Sequence, residues 1–159
     1  MSDLIPVDLP RTPREGASVA AAYRTREADI LARTLWGEAR GEGTAGMQAV
    51  AAVVLNRVAL AEARGGMWWG VDVISVCLKP WQFSCWNRAD PNYRSLSAVG
   101  LEDPYFRNAI LIARAALAGR LRDPTGGATH YHATGVRPDW AKGVTPTATI
   151  GRHVFYSLT

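Results

Sequence analysis

A single glutamate, Glu38, has the surroundings that proton-transfer chemistry needs. It lies in the segment WGEARGE (36–42), close to the predicted end of a helix. The indole of Trp36 and the negative end of the helix would both disfavour the ionised form of its carboxyl group. A glutamic acid that keeps its proton near neutral pH is what a general acid needs to protonate a glycosidic oxygen. The alternative is that Glu38 is an ordinary surface residue at a helix end.

The second carboxylate of this segment, Glu42, follows four residues later. Two carboxylates at this spacing share one face of a helix. Gly41, however, is predicted to end the helix before Glu42 is reached. We therefore interpret Glu42 as a supporting residue of the site and not as a second catalyst.

A second stretch that could contact a ligand is the loop KPWQFSCWN (79–87), which mixes aromatic rings with amide and hydroxyl groups. Sugars are bound by such mixtures, because their apolar ring faces stack on aromatic rings while their hydroxyl groups pair with Gln, Asn or Ser. Four of the six tryptophans fall in the surrounding segment 62–100. The alternative is a small apolar core beneath a long loop, which would have a similar composition.

Three histidines offer a different chemistry. His130 and His132 flank Tyr131 on a predicted strand, so both imidazoles face one side of it, and His153 belongs to a second predicted strand. Three histidines and a glutamate could hold a catalytic zinc ion. None of them has the helical HExxH spacing of zinc hydrolases. We therefore expect histidines that hydrogen-bond or contact substrate, and neither a metal nor another cofactor.

The elements that must position these residues are predicted from the spacing of apolar residues. The spacing is helical before residue 62 and again after residue 102, and the period changes to two after the turn DPTGG (123–127). Asp103 and Pro104 are a good cap and first residue for the third helix. The predicted elements are helices at about 27–40, 44–60 and 103–119 and strands at 128–133 and 148–156. This order predicts a mainly helical α+β domain with a small antiparallel sheet.

The length of 159 residues predicts one domain with a real hydrophobic core. Residues 1–24 contain proline, arginine and glycine without periodicity, and we expect them to form a loosely ordered arm before a domain at 25–159. Cys77 and Cys85 are spaced for a disulfide in an oxidising compartment or for two reduced, buried thiols. Of these alternatives we favour the disulfide.

The formal net charge of +4 favours an anionic partner, such as nucleic acid, a membrane surface or an acidic wall polymer. The basic residues are scattered, without a run of five, so we expect no nucleic-acid-binding arm. No stretch approaches the ~20 apolar residues of a membrane-spanning helix, so we expect no integral membrane segment. The N-terminal residues lack the apolar run of a secretion signal, so we expect synthesis in the cytoplasm without a signal peptide.

Four stretches in series carry a family resemblance. They are LARTLWGEARGEGTAGMQAVAAVVLNRV, VCLKPWQFSCWN, DPTGGATHYHATGVRPDW and IGRHVFY. In this order and spacing they resemble the SleB-type cell wall hydrolases, the family of the spore-cortex-lytic enzymes. The resemblance extends from about Ile30 to Tyr156, nearly the whole chain apart from the predicted arm.

The resemblance implies a lysozyme-like fold similar to that of lytic transglycosylases. It implies that Glu38 is the catalytic glutamate and that peptidoglycan glycan strands are the substrate, cut at the β-1,4 bond between N-acetylmuramic acid and N-acetylglucosamine. Many members of the family release 1,6-anhydro-muramyl ends, which needs only one carboxyl group. With Glu42 as a supporting residue, the residues expected to line the substrate groove are Gln82, Phe83, Tyr131, His132 and Trp140. We expect a monomer.

Two rival functions remain open at this level. One is a zinc-dependent peptidoglycan amidase or peptidase built on the histidines, and the other is a non-enzymatic basic domain that binds wall polymer or nucleic acid. The resemblance also implies action on the periplasmic or extracellular wall. For a chain without a secretion signal, we expect delivery by a phage-like lysis system or particle.

Overall fold

The computed structural model describes residues 13–159, as five helices, three single 3₁₀ turns and three strands. The helices are α1 (Pro13–Ala39), α2 (Gly43–Arg64), α3 (Val73–Leu78), α4 (Tyr93–Ala98) and α5 (Pro104–Leu117). The 3₁₀ turns are Arg40–Glu42, Ser84–Trp86 and Asp139–Ala141, and the strands are β1 (His130–Ala133), β2 (Ala148–Ile150) and β3 (His153–Tyr156). This order confirms the prediction of a mainly helical α+β domain.

The main core lies where α1, α2 and α5 pack against one another. Alanine and valine predominate on α2, and ten of its residues are buried, because small side chains let neighbouring elements approach it from several sides. Leu31 and Leu35 of α1 and Met47 and Val50 of α2 are fully buried there. The packing of α2 and α5 against α1 holds the C-terminal end of α1 in place.

The start of α5 follows the sequence prediction. The side chain of Asp103 accepts a hydrogen bond from the backbone N–H of Phe106 (3.0 Å), and Pro104 is the first helical residue. The same carboxylate also accepts a hydrogen bond from the indole N–H of Trp36 (3.3 Å). The cap of α5 therefore also ties this helix to the last turns of α1.

The sheet is antiparallel, with the strand order β1-β3-β2. The predicted strand 148–156 is two strands, because the chain reverses at Gly151, whose φ is 56°, a conformation that favours glycine. In the register of β1 and β3, Tyr131 lies opposite Phe155. Phe155 packs against Ala49 and Val53, which places one face of the sheet on α2.

The structure differs from the sequence expectation in two other segments. Helix α1 begins at Pro13 and so includes residues 13–24 of the predicted arm, whereas residues 1–12 lie outside the described part. The hydroxyl group of Tyr23 donates to Asp72 (2.9 Å), so the helix contacts the domain before residue 25. The boundary at residue 25 stays a prediction. The segment predicted as irregular contains α3, whose start is capped by reciprocal bonds between Asp72 and Ser75, and α4.

The predicted disulfide is absent from the structure, which holds Cys77 and Cys85 as free thiols. Both are buried in the main core. Burial raises the pKa of the Cys77 thiol to about 12, and burial with the neighbouring Glu38 charge raises that of Cys85. Of the two readings of the spacing, the structure therefore has the buried, protonated thiols.

The stretch Tyr23–Arg64 is long and apolar enough in composition to cross a membrane. It comprises residues 23–39 of α1 and all of α2, separated by the 3₁₀ turn Arg40–Glu42. Just over half of its most apolar window is buried inside the domain. Its apolar residues are the core of this fold, which accounts for the composition.

Candidate active site

Glu38 lies in the last turn of α1 and is half-buried. One carboxyl oxygen, Oε1, accepts the backbone N–H of Cys85 (3.2 Å), and the other, Oε2, accepts the hydroxyl group of Tyr131 (3.0 Å). These partners come from the 3₁₀ turn Ser84–Trp86 and from β1. The carboxyl group is thus held from two sides by distant parts of the chain, and its direction is fixed.

Tyr131 is suited to be a permanent donor in this pair. The residue is half-buried, and this burial together with the nearby Glu38 charge raises the pKa of its phenol well above the ordinary value. Its ring packs against Phe83 (6.5 Å between centroids) and Phe155 (5.5 Å). Tyr131 therefore keeps its proton and holds the hydrogen bond to Glu38 in a fixed direction.

Gly37 allows the second donor to approach. A side chain at this position would begin 2.6 Å from the Cβ of Cys85 and 3.2 Å from a methyl group of Leu96. Because Gly37 has no side chain, the turn Ser84–Trp86 lies directly on the end of α1. That close packing brings the N–H of Cys85 within reach of Glu38.

Glu38 opens into a cavity of about 310 Å³, which we call the Glu38 cleft. The other residues that line it are aromatic, amide, hydroxyl or cationic: Arg57, Trp81, Gln82, Phe83, Ser84, His130, Tyr131 and Trp140. Four of them, Gln82, Phe83, Tyr131 and Trp140, are groove residues predicted from the sequence. Among the lining residues that the structure describes, Glu38 is the single carboxylic acid.

Arg57 is a member of the site that the sequence analysis missed. Its side chain is 5% exposed and donates from Nε to the carbonyl of Thr129 (2.7 Å) and from Nη1 to Oε1 of Gln82 (3.1 Å). Burial lowers the pKa of the guanidinium to about 10, so it remains charged at neutral pH. The available signal was an arginine on the buried side of α2, four residues after Val53.

The contact with Arg57 fixes how Gln82 is oriented. A guanidinium only donates hydrogen bonds, so the group of Gln82 that it meets must be the carbonyl oxygen. The NH₂ group of the same amide is then left for other acceptors. A residue lining the cleft thereby offers two N–H donors to a ligand.

His130 is a neutral member of the cleft. Its Nδ1 lies 2.9 Å from the hydroxyl oxygen of Thr129, and its ring lies between Trp69 (5.9 Å) and Trp140 (5.4 Å). Burial, followed by the charge of Arg57, lowers the pKa of His130 to about 4. At neutral pH it therefore presents an uncharged imidazole to the cleft.

Two predicted site residues, the supporting residue Glu42 and the groove residue His132, lie outside the Glu38 cleft. Glu42 accepts the backbone N–H of Arg152 (2.9 Å), so its carboxylate holds the turn between β2 and β3 instead of lining the cleft. His132 is bonded through Nε2 to the hydroxyl group of Tyr156 (2.9 Å) and lines a separate cavity of about 500 Å³. Its ring still lies 5.7 Å from that of Trp140, at the border between the two cavities.

Trp36 also departs from its predicted role. Its ring is buried beneath the guanidinium of Arg40, 3.9 Å from the ring centroid, and its N–H is bonded to Asp103. It belongs to the contact between α1 and α5 and does not line the Glu38 cleft. Trp36 is close to Glu38 in sequence but does not share its surroundings, because side chains two residues apart on a helix do not face each other.

The three histidines do not share a face of the sheet. His130 and His132 both lie against Trp140, whereas His153 packs against Tyr131 (5.0 Å between centroids). Within the described part of the chain, no three His, Cys, Asp or Glu side chains are grouped so that they could hold a metal ion.

Known proteins share both sequence and fold with this chain. A profile of the Cell Wall Hydrolase family matches residues 41–156, a range that begins just after Glu38. A curated spore cortex-lytic enzyme from Halalkalibacterium halodurans is 32% identical over 146 residues, which are 89% of this chain and 38% of that protein. The chain thus spans well under half the length of this curated relative.

Two solved structures give similar matches. The catalytic domain of the germination-specific lytic transglycosylase SleB from Bacillus anthracis is 27% identical with a TM-score of 0.61, over 82% of this chain and 93% of that one. The catalytic domain of the Bacillus cereus SleB protein is also 27% identical, with a TM-score of 0.62, over 84% and 91%. The fold is therefore the lysozyme-like fold of SleB catalytic domains, and the chain belongs to the SleB-type cell wall hydrolase family.

Proposed function

We propose that this chain cleaves peptidoglycan glycan strands at the β-1,4 bond between N-acetylmuramic acid and N-acetylglucosamine, with Glu38 as the proton-transferring residue. The observation that carries the proposal is the setting of Glu38. It is a half-buried carboxyl group, held by two donors, in a cleft lined with aromatic and amide side chains. Such a lining fits a sugar polymer.

The cleft favours a reaction that needs one carboxyl group. Glycosidases that use water generally have a second carboxylate as base or nucleophile. In the alternative, Glu38 gives its proton to the leaving glycosidic oxygen as the bond from that oxygen to C1 of the muramic acid breaks. The C6 oxygen of the same sugar bonds to C1, and its proton returns to Glu38. The product is a 1,6-anhydro sugar, and no water is consumed.

Other cleft residues have roles that follow from their contacts. Tyr131 and the N–H of Cys85 aim the carboxyl group of Glu38 at one point in the cleft. Gln82, oriented by Arg57, donates to a sugar hydroxyl or acetamido oxygen. Phe83 and Trp140 supply apolar surface for the sugar rings.

The test is digestion of purified peptidoglycan, followed by mass spectrometry of the released fragments. We expect the suspension to clear, with EDTA present or absent, and anhydro-muramyl ends to appear. Glu38→Gln should abolish clearing, whereas Glu62→Gln, at an exposed position near the end of α2, should leave it unchanged.

Each rival function has a distinct outcome in the same experiment. Fragments with reducing muramic acid ends would show that the same bond is cut by hydrolysis and not by transglycosylation. Free stem peptides, released only without EDTA, would identify a zinc-dependent amidase or peptidase. Binding to peptidoglycan without any clearing would identify a non-enzymatic wall-binding domain.

Two further proposals concern the state in which the protein acts. We infer that it acts on the wall as a monomer, for which sedimentation equilibrium at several concentrations is the test. We also infer that a phage-like lysis system or particle delivers it to the wall. Adjacent lysis or tail genes in the source genome would support that route, and a purely chromosomal context without them would oppose it.

A further inference from the structure

Trp81 combines two features that seldom occur together. Among the described residues it is the one non-glycine position with a positive φ, at 68°, and its side chain is 82% exposed. The left-handed conformation is strained for a residue with a side chain, because Cβ comes close to a backbone carbonyl. An indole that is this exposed also buries little apolar surface, so it adds little to the stability of the fold. Neither the backbone conformation nor the packing of this domain favours tryptophan here.

The local turn explains the conformation. The N–H of Gln82 donates to the carbonyl of Lys79 (3.2 Å), which closes a four-residue turn with Pro80 and Trp81 at its centre. Proline followed by a residue with positive φ is the pattern of a type II turn, in which glycine or asparagine usually takes the place that Trp81 occupies. A tryptophan in this place is unexpected on structural grounds.

The residues after Trp81 anchor the turn. The side chain of Gln82 is bonded to the buried Arg57 (3.1 Å), and Phe83 is 2% exposed. The contacts of Gln82 and Phe83 therefore fix the direction in which the turn presents Trp81. The indole also lines the Glu38 cleft, so an exposed aromatic face is held at the entrance to the site.

The chemistry around Trp81 selects one kind of ligand. Gln82, Ser84 and His130 place donors and acceptors near the indole, and Trp140 adds a second aromatic surface that is 39% exposed. A flat apolar face with hydrogen-bonding groups at its edge matches a pyranose ring, whose CH faces are apolar and whose rim carries hydroxyl groups.

We propose that Trp81 is a substrate-binding residue whose indole stacks on a sugar ring of the glycan strand, next to the bond that Glu38 cleaves. This inference rests on the proposed function. The strain at position 81 is retained because the indole binds substrate, in agreement with the general location of strained residues at functional sites.

The test separates the indole from the backbone strain. Binding to insoluble peptidoglycan is measured by co-sedimentation in the inactive Glu38→Gln background, with Trp81→Phe, Trp81→Ala and Trp81→Gly added singly. We expect about tenfold weaker binding for the alanine and glycine variants and a smaller loss for phenylalanine, which keeps a flat face. The glycine variant should melt at a higher temperature than the alanine variant, because glycine adopts positive φ without strain.

Trp68→Ala is the matched control. Trp68 is also an exposed tryptophan, at 56%, but it is outside the lining of the Glu38 cleft. It should leave binding within about twofold of the parent, since peripheral contacts contribute little. In the active enzyme, Trp81→Ala should raise KM about tenfold with little change in kcat, as expected when binding common to substrate and transition state is removed.

Three results would overturn the inference. They are normal binding by Trp81→Ala, an equal loss in Trp68→Ala, or a fall in kcat at constant KM, which would mean that the loop had lost its arrangement around Gln82. Failure of the proposed function is distinguishable from these. If the wild-type protein binds peptidoglycan through Trp81 but releases no fragments, the stacking site stands and the catalytic assignment of Glu38 does not.

Discussion

The two glutamates at the junction of α1 and α2 are four residues apart and perform different tasks. Glu38 bonds to the side chain of Tyr131 and to the N–H of Cys85 inside the cleft. Glu42 bonds to the N–H of Arg152 at the turn between β2 and β3. Both carboxylates connect the helices to the sheet, but only Glu38 faces space that a substrate can enter. Surroundings, and not residue type, therefore distinguish the carboxyl group that we propose as the catalyst from the one that holds a turn.

The largest difference between the two glutamates should appear in activity when each carboxylate is exchanged for an amide. Glu38→Gln keeps the shape of the side chain but has no carboxyl proton to donate, so we expect clearing of peptidoglycan to fall by roughly 10³-fold. Glu42→Gln should retain activity within about threefold, because substitutions away from the reacting groups have small effects on chemistry. Initial clearing rates of the two purified variants provide the comparison. Equal losses would mean that both carboxylates take part in the reaction.

A smaller effect should follow from loosening Glu38 without removing it. Tyr131→Phe deletes the hydroxyl group that donates to Oε2 and leaves the packed ring in place. We expect kcat to fall about tenfold, since the carboxyl group of Glu38 loses one of the two donors that orient it, with KM nearly unchanged. The matched control is Tyr156→Phe, which removes a hydroxyl group bonded to His132 instead. An equal fall in kcat for the control would assign the effect to the sheet as a whole.

The smallest effect concerns the structural glutamate and should appear in stability. Glu42→Ala removes the acceptor for Arg152, and Gly151→Ala places a methyl group against the Glu42 carboxylate. Each should lower the free energy of unfolding by about 1 kcal/mol. Because both disturb one contact, the double variant should lose less than the two losses combined. Urea unfolding of the four proteins measures this, and strict additivity would show that Glu42 and Gly151 act independently.

The sequence was informative wherever the determining contacts are local. The start of α5 depends on Asp103 and Pro104 within one turn, and the position of Glu38 near a helix end depends on apolar spacing in α1. The composition of the loop at 79–87 is typical of a ligand site, and the family resemblance selects Gln82 and Phe83, both of which line the cleft.

The sequence was uninformative where partners are distant. The partner of Glu42 is 110 residues away, and no periodicity encodes such a contact. In the sequence, Arg57 is a polar residue within an apolar helix. Its role becomes visible only in the structure, where it donates to Thr129 and Gln82. The six-residue helices α3 and α4 are too short for a helical period to be visible.

Gly37 sets a limit on how this domain can be stabilised by design. Replacing a helical glycine by alanine commonly improves a helix by about 1 kcal/mol, because the unfolded chain loses freedom. At position 37 the added methyl group would push the loop that carries Cys85 away from α1. The helix would become more stable, but Glu38 would lose its hydrogen bond from the N–H of Cys85. Gly41 has open space around it and a φ that alanine tolerates, so it is the glycine of this segment at which such engineering can begin.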